Sequence, residues 1–364
     1  MKLSPYALAC AIACSCGLML PGSVSAEAPR TFDRALAAYD YEAQVQPASP
    51  SDQPIAPPPL MADNFACGSE QADCDCDDGC DPTWTFRLGT VIMKRSNPNA
   101  FPIFTDGFGG PTLVDAADYR FDYRAGIDFG AIRDIDDDLA FDFRYFAIDS
   151  WTATQTNPLA VGGTVLNIAT PVIFFGFDPA NSTYGSNLYS TEFNLRRKHE
   201  CVTTFIGYRY VELNEDLDFQ LINISNARYS ESADNRMHGV QFGAEADLWN
   251  NGNRLSVEGW LKAGVYYDLI RHRSQIEFPP GTPIFTPLNQ RDNNTAFLGE
   301  IGLVGVYQLT DAIAIRGGYQ LLWLDGVALA SEQVPTTNVT IGTGADLHGD
   351  VFFHGALVGV EARW

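Results

Sequence analysis

From Tyr119 to Ala131 apolar and polar residues alternate without a break. Tyr119, Phe121, Tyr123, Ala125, Ile127, Phe129 and Ala131 form one set, and Arg120, Asp122, Arg124, Gly126, Asp128 and Gly130 the other. Successive side chains of an extended strand point to opposite faces, so one face is apolar and the other carries charge and glycine. The turn-like stretch 132–138 follows. Alternation then resumes with Leu139, Phe141, Phe143, Tyr145 and Ala147 against Asp142 and Arg144. Counting period-2 matches between turn signals predicts ten strands. They cover 84–94, 119–132, 139–149, 187–197, 201–213, 236–249, 254–268, 295–308, 312–324 and 350–364, each 11 to 15 residues long. Ordinary globular strands cluster near ~5–6 residues, whereas a tilted membrane-spanning strand needs roughly 9–11.

The connections alternate in length. Four are tight (133–138, 198–200, 250–253 and 309–311), and five are long (95–118, 150–186, 214–235, 269–294 and 325–349). Unstructured connections beyond about 15 residues are uncommon in compact domains. An up-and-down barrel explains them, with short turns at the periplasmic rim and long loops outside. The last strand places Phe352, Ala356, Val358, Val360, Ala362 and Trp364 on one face, interrupted by His354. Trp84, Trp151, Trp249, Trp323 and Trp364 fall at predicted strand ends, and Trp260 falls mid-strand. Tryptophan at strand ends suits a membrane interface. The expected fold is an all-β, antiparallel up-and-down transmembrane β-barrel of about ten strands.

If the apolar set faces lipid, the polar set lines the lumen. The candidates are Arg120, Asp122, Arg124, Asp128, Asp142, Arg144, Glu192, Arg196, Arg209, Glu245, Glu258, Lys262, Glu300 and Arg316. Both signs are mixed. A charge on the lipid face near the midplane costs ~2–4 kcal/mol for Arg or Lys, which explains why they share one face. A barrel of this size leaves little interior space, so arginine–carboxylate pairs could fill it, or the same charges could line a narrow polar pore. Glycines at inner positions (Gly126, Gly130, Gly207, Gly243, Gly264, Gly302 and Gly318) fit curvature or bulky inner neighbours.

Ahead of the strands, residues 1–26 read as a secretory signal peptide ending at Ala26. Residues 27–83 read as a disordered linker rich in Pro and Ala, followed by a Cys- and Asp-rich knot. The β-barrel domain occupies 84–364. In the knot, Cys67, Cys74, Cys76 and Cys80 suit disulfides in an exported chain, with three pairings open to them. Their spacing does not match paired C-x2-C zinc ligands, and no glutamate closes a calcium loop, so no metal is expected. Cys201, at a strand start, is expected to be an unpaired thiol.

A net charge of −22 argues against nucleic acid as a partner. The histidines are His199, His238, His272, His348 and His354. His272 and His348 fall in or beside long outer loops, and His348 has Asp346 and Asp350 close in sequence. No serine elbow or metal-binding histidine pair accompanies them, so neither catalytic residues nor a cofactor are expected.

Several stretches resemble the planctomycete putative β-barrel porin 7 family of cell-envelope proteins. They are FRLGTVIMKRSNPN, FIGYRYVELNEDL, HGVQFGAEADLW, RLSVEGWLKAGVYY and GEIGLVGVYQLTDAIAIRGGYQLLWLDGVALA, spread over most of 84–364. The resemblance implies an outer-membrane barrel of transport or structural role and supplies no catalytic residues. The expected function is porin-like passage of small polar solutes or structural support of the envelope. The alternatives are a secreted soluble β-protein with binding loops and a barrel enzyme acting at the outer rim. Outer-membrane lipid is the expected partner of the outward face. Small polar solutes are the expected partners of the lumen, and a periplasmic or cell-wall component that of the linker.

Overall fold

The computed structural model describes residues 84–157, 162–169, 173–174, 179–221, 226–250, 252 and 254–364. The expected signal peptide, linker and four-cysteine knot lie outside the described residues.

Ten long strands close into one antiparallel barrel. They are β1 (Trp84–Arg95), β4 (Arg124–Asp134), β5 (Leu139–Asn157), β8 (Ala180–His199), β9 (Val202–Leu221), β10 (Arg228–Asn250), β11 (Leu255–Glu277), β12 (Leu288–Gln308), β13 (Ile313–Val327) and β14 (Gly349–Arg363). Each pairs with its neighbours in sequence, and β1 pairs with β14 to close the ring. The ends are locked where Trp84 donates its N–H to the Trp364 carbonyl (2.8 Å) and receives that of Trp364 (3.1 Å). Four short strands, β2 (Pro102–Asp106), β3 (Thr112–Asp115), β6 (Thr164–Leu166) and β7 (Ile173–Phe174), form a separate small sheet from the connections β1–β4 and β5–β8.

The turns at one end are tight for local reasons. In the β4–β5 turn the Asp136 carboxylate accepts the backbone N–H groups of Asp138 (3.0 Å) and Leu139 (2.7 Å). Thr310 Oγ1 accepts the Ile313 N–H (3.1 Å) in the β12–β13 turn. All long connections lie at the opposite end.

Several strands exceed the sequence expectation. β10 and β11 have 23 residues each, about twice what a tilted strand needs to cross a membrane. Much of what the sequence suggested as outer loop (150–186, 214–235 and 269–294) is therefore strand. The alternation continues there with its phase inverted. On β9, Ile206 and Tyr208 point outward and are exposed. Further along the same strand Val211, Leu213, Leu217 and Phe219 point inward and are buried, while the outward positions carry Glu212, Asn214, Asp216 and Asp218. Apolar residues face out where lipid surrounds the wall and face in where water does.

The outward apolar belt runs round the ring, through Leu88, Ile127, Phe193, Ile206, Phe242, Val265, Leu303, Ile315 and Val358 among others, all exposed. The barrel is thus a membrane-type wall below and a water-facing wall with an apolar core above.

The inversion corrects one strand start. Arg120 and Asp122 lie ahead of β4 and are exposed, whereas Tyr119 and Phe121 are buried in the upper core. Arg124 opens β4 on the inward register opposite Met93, but it too is exposed. None of the three joins the ion pairs described for the barrel interior. Trp151 is a second correction. Simple alternation puts it at an outer strand end, yet it is buried and donates Nε1–H to the Met93 carbonyl (3.0 Å). The register of β5 on β8 shifts between Ile148 and Trp151, and Ser150 sits there at φ 66°. A bulge adds one residue to one strand and so moves the following side chains to the other face.

Candidate functional site

The interior is filled in tiers. The lowest lies near the short-turn end. Arg87 and Arg316 share Glu361 (2.8 and 2.7 Å), Arg316 also meets Glu258 (2.6 Å), and Arg196 meets Glu245 (2.8 Å) and Asp142 (3.6 Å). Arg363 closes on Glu361 from outside the cluster (2.7 Å). A cavity of about 660 Å³ opens below this tier, reached by Lys198, His199, Glu200 and Arg254 of the turns. A smaller one of about 100 Å³ continues upward past Arg196, Phe205 and Lys262.

The second tier lies higher in the barrel, with Arg209, Glu192 and Glu300 buried. Arg209 meets Glu300 (2.9 Å) and Glu192 (3.6 Å), Lys262 meets Glu192 (2.8 Å) and Glu300 (3.6 Å), and Arg144 meets Glu300 (2.9 Å) and Asp128 (3.1 Å). Three cations thus face three carboxylates, and polar side chains take up further bonding positions, although Arg209 Nη2 is left without a hydrogen bond. Gln241 donates to Glu192 (2.7 Å), Trp260 Nε1–H to Glu300 (3.0 Å), and Arg144 to Gln320 (3.1 Å). Such a balanced set can hold charge in a low-dielectric interior, because each ion keeps hydrogen-bonded counterions. Rings fill the gaps. The Arg144 and Arg209 guanidiniums lie 5.3 and 5.9 Å from the Phe146 ring, and Lys262 Nζ lies 5.9 Å from the Phe205 ring. Glycines make room for these rings. A Cβ on Gly302 would stand 2.1 Å from Trp260, and one on Gly243 would stand 2.4 Å from Phe205.

Above the ions lies an apolar tier that includes Met93, Phe146, Val211, Leu298, Leu322 and Phe353. Higher still, the β13–β14 connection folds into the mouth. It carries a one-turn helix, α1 (Ala330–Gln333), whose Ala330, Ser331 and Gln333 are buried. Asn235 of β10 holds this stopper from below, with Nδ2 donating to the Ala328 carbonyl (2.8 Å) and Oδ1 accepting the Ala328 N–H (2.7 Å). Glu215 accepts the Ala330 N–H (3.1 Å) while paired to Arg95 (2.5 Å) and bonded by the Tyr184 hydroxyl (2.5 Å). Gly326 takes φ 77° where β13 turns into the connection, a conformation that favours glycine. Burial raises the Glu332 carboxyl above the ordinary glutamate range, helped by nearby Asp346, Glu215 and Asp350 and opposed by a hydrogen bond from Asn99 (2.8 Å).

A family model described as "Putative beta barrel porin-7 (BBP7)" matches residues 168–364, more than half of the 364-residue chain. The chain belongs to this family. No curated protein matches it. The chain is also similar to solved structures at low identity. The outer membrane protease OmpT from Escherichia coli is 10% identical, with TM-score 0.44, over 78% of this chain and 97% of that one. The translocator domain of autotransporter NalP from Neisseria meningitidis is 11% identical, with TM-score 0.36, over 79% and 90%. A Pseudomonas aeruginosa FadL homologue is 12% identical, with TM-score 0.25, over 78% and 89%.

In this barrel, Asp128, Asp142, Arg144, Glu192, Arg196, Arg209, Glu245, Glu258, Lys262, Glu300 and Arg316 lie together in the two ionic tiers. Arg120, Asp122 and Arg124 stand apart from them. Arg95 and Glu215, which anchor the stopper, went unseen in the sequence. Glu215 continues the inward set 209, 211 and 213 by one more step, so following the alternation past its change of polarity would have found it.

One histidine sits elsewhere than expected, and the others lie close to their expected places. His272 is inside β11, buried, with Nε2 on Glu231; Thr337 of the stopper (3.0 Å) and Tyr229 (2.5 Å) bond the same carboxylate. His348 is exposed, and the Asp346 carboxylate accepts its backbone N–H (3.0 Å). His238 and His354 lie on the outward face, bonded to Tyr208 (2.7 Å) and Tyr319 (2.5 Å). Among the described residues no group of three or more His, Cys, Asp or Glu is arranged to hold a metal. Cys201 is a further correction, since it is disulfide-bonded. It is the only cysteine in 84–364, so its partner lies outside the described residues.

Proposed function

We propose that this protein is a closed outer-membrane barrel that supports the cell envelope and does not pass solutes by simple diffusion. The carrying observation is the double closure of its interior: a neutralised ionic tier at membrane level and a loop stopper hydrogen-bonded into the mouth. A water-filled channel would instead leave inner charges solvated. The outward apolar belt supports membrane residence over the soluble alternative, because a soluble sheet would bury those side chains. The signal-like N-terminus and the family membership are consistent with export to the outer membrane.

Planar-bilayer recording on the purified protein tests this reading. The expected result is a silent bilayer with protein demonstrably inserted. Regular conductance steps from the unaltered chain would replace it with the passage reading. That reading has one observation in its favour, the 660 Å³ charged vestibule at the short-turn end. It requires the ionic tier to open, so it predicts steps only under a stimulus that separates Arg209 from Glu300.

A further inference from the structure

Acidic residues outnumber basic ones by 45 to 23 in this chain, and the inner arginines are matched to carboxylates. On the outer surface three arginines come together at the top of the apolar belt, on β10, β11 and β12. Arg236 of β10 stands opposite Leu269 of β11, which is outward-facing and exposed at the top of the apolar belt. Two positions after Leu269 comes Arg271, directly opposite Arg291 of β12. Directly opposed residues of an antiparallel pair share a face with Cβ atoms roughly 4.5–5.5 Å apart, and like charges there are unfavourable.

The nearby carboxylates are engaged elsewhere. Asp234, opposite Arg271, pairs with Arg273 (2.9 Å). Glu212, opposite Arg236, accepts from Tyr210 and Asn214 (2.8 Å each). Arg271 bonds only the neutral Asn289 (3.1 Å), and neither Arg236 nor Arg291 has an ion pair among the described residues. Directly below, Tyr267 neighbours His238 in register, and the Tyr208 hydroxyl meets that histidine (2.7 Å), a polar–aromatic band of the kind that marks a lipid–water boundary.

We propose that Arg236, Arg271 and Arg291 form a binding site for the phosphate of an outer-leaflet lipid headgroup. The inference rests on the membrane reading above, since a bilayer around the belt brings headgroup phosphates to this height. Guanidiniums bind phosphate through paired N–H donors, and one phosphate between Arg271 and Arg291 removes their mutual repulsion.

The test is native mass spectrometry of the full chain in neutral detergent, supplied with phosphatidylglycerol against phosphatidylcholine. The unaltered protein should retain phosphatidylglycerol selectively. Retention should fall by at least about tenfold in Arg271→Gln/Arg291→Gln and stay unchanged in Arg254→Gln, at the short-turn end. Equal retention in the double variant overturns the proposal. Complete displacement of the lipid by millimolar inorganic phosphate also overturns it, by assigning the arginines to a free ion. Heat-modifiable gel mobility and membrane fractionation of the same preparations keep the two readings separable. A folded, membrane-borne barrel without lipid preference sinks only this site, whereas a protein confined to the soluble fraction sinks the membrane reading.

Discussion

Arg209 of β9 and Glu300 of β12 meet at 2.9 Å with both side chains buried, tying together strands that are not neighbours in the sheet. Glu300 also receives Arg144 and Trp260. Its removal would leave several buried donors without a counterion. Glu300→Leu should therefore cost about 3–5 kcal/mol, read as a lowered urea midpoint for loss of the heat-modifiable form. Arg209→Leu/Glu300→Leu removes one charge of each sign and should be less damaging than Glu300→Leu alone. Equal damage would mean that packing, rather than pairing, gives Glu300 its weight.

The stopper hangs on Asn235. Asn235→Ala removes both bonds to Ala328 and leaves buried backbone groups unpaired, at a cost of about 1–3 kcal/mol to that local contact. Thermolysin should then cut within 328–348 faster than in the unaltered protein, while the barrel itself resists. Unchanged cleavage would show that α1 and its neighbours are held mainly by apolar burial.

Stopper docking should respond to pH through Glu332. Its folded-state pKa is raised, so the docked form prefers the protonated carboxyl, and docking weakens as pH rises from the ordinary glutamate range through the raised value. Hydrogen exchange of the 328–348 amides should accelerate more steeply over that window than base catalysis alone predicts. Glu332→Gln should remove the excess, and a profile identical in both proteins would contradict it.

The belt can be tested at one residue. Val265 is 58% exposed and faces outward in the middle of β11. Val265→Arg should cost ~2–4 kcal/mol in lipid, because the charge sits near the bilayer midplane. The same change at an outward position above the belt, Gln275→Arg, should be close to neutral. Equal costs at the two positions would argue against lipid contact at Val265.

Much of the barrel was legible in the sequence because its wall alternates. Most interior arginines and carboxylates below the interface were found from their parity alone, as with Arg144 and Glu192, but Arg87 of β1, paired with Glu361 inside the barrel, was missed. Residues 214–221 were missed as strand for a physical reason. Outside the bilayer the polar partner of the wall is on the outside, so Asp216 and Asp218 look like loop charge although they sit on the same strand as Ile206. Tyr119 and Phe121 misled in the other sense. They share parity with Ile127 and Phe129, but they lie above the membrane and ahead of β4, where apolar side chains turn inward.

The sequence by itself determined the number of strands, the end that carries the short turns, and which residues of each membrane-level segment share a face. These follow from a two-residue period and from turn chemistry, both local. Only the tertiary structure decided which of the inner charges meet one another. That outcome depends on distances between strands remote in the chain, as where Arg209 reaches Glu300 and Lys262 reaches Glu192, and on a connection folding back to place Ala328 against Asn235. No local pattern encodes those meetings, because they exist only once ten strands have closed into a ring.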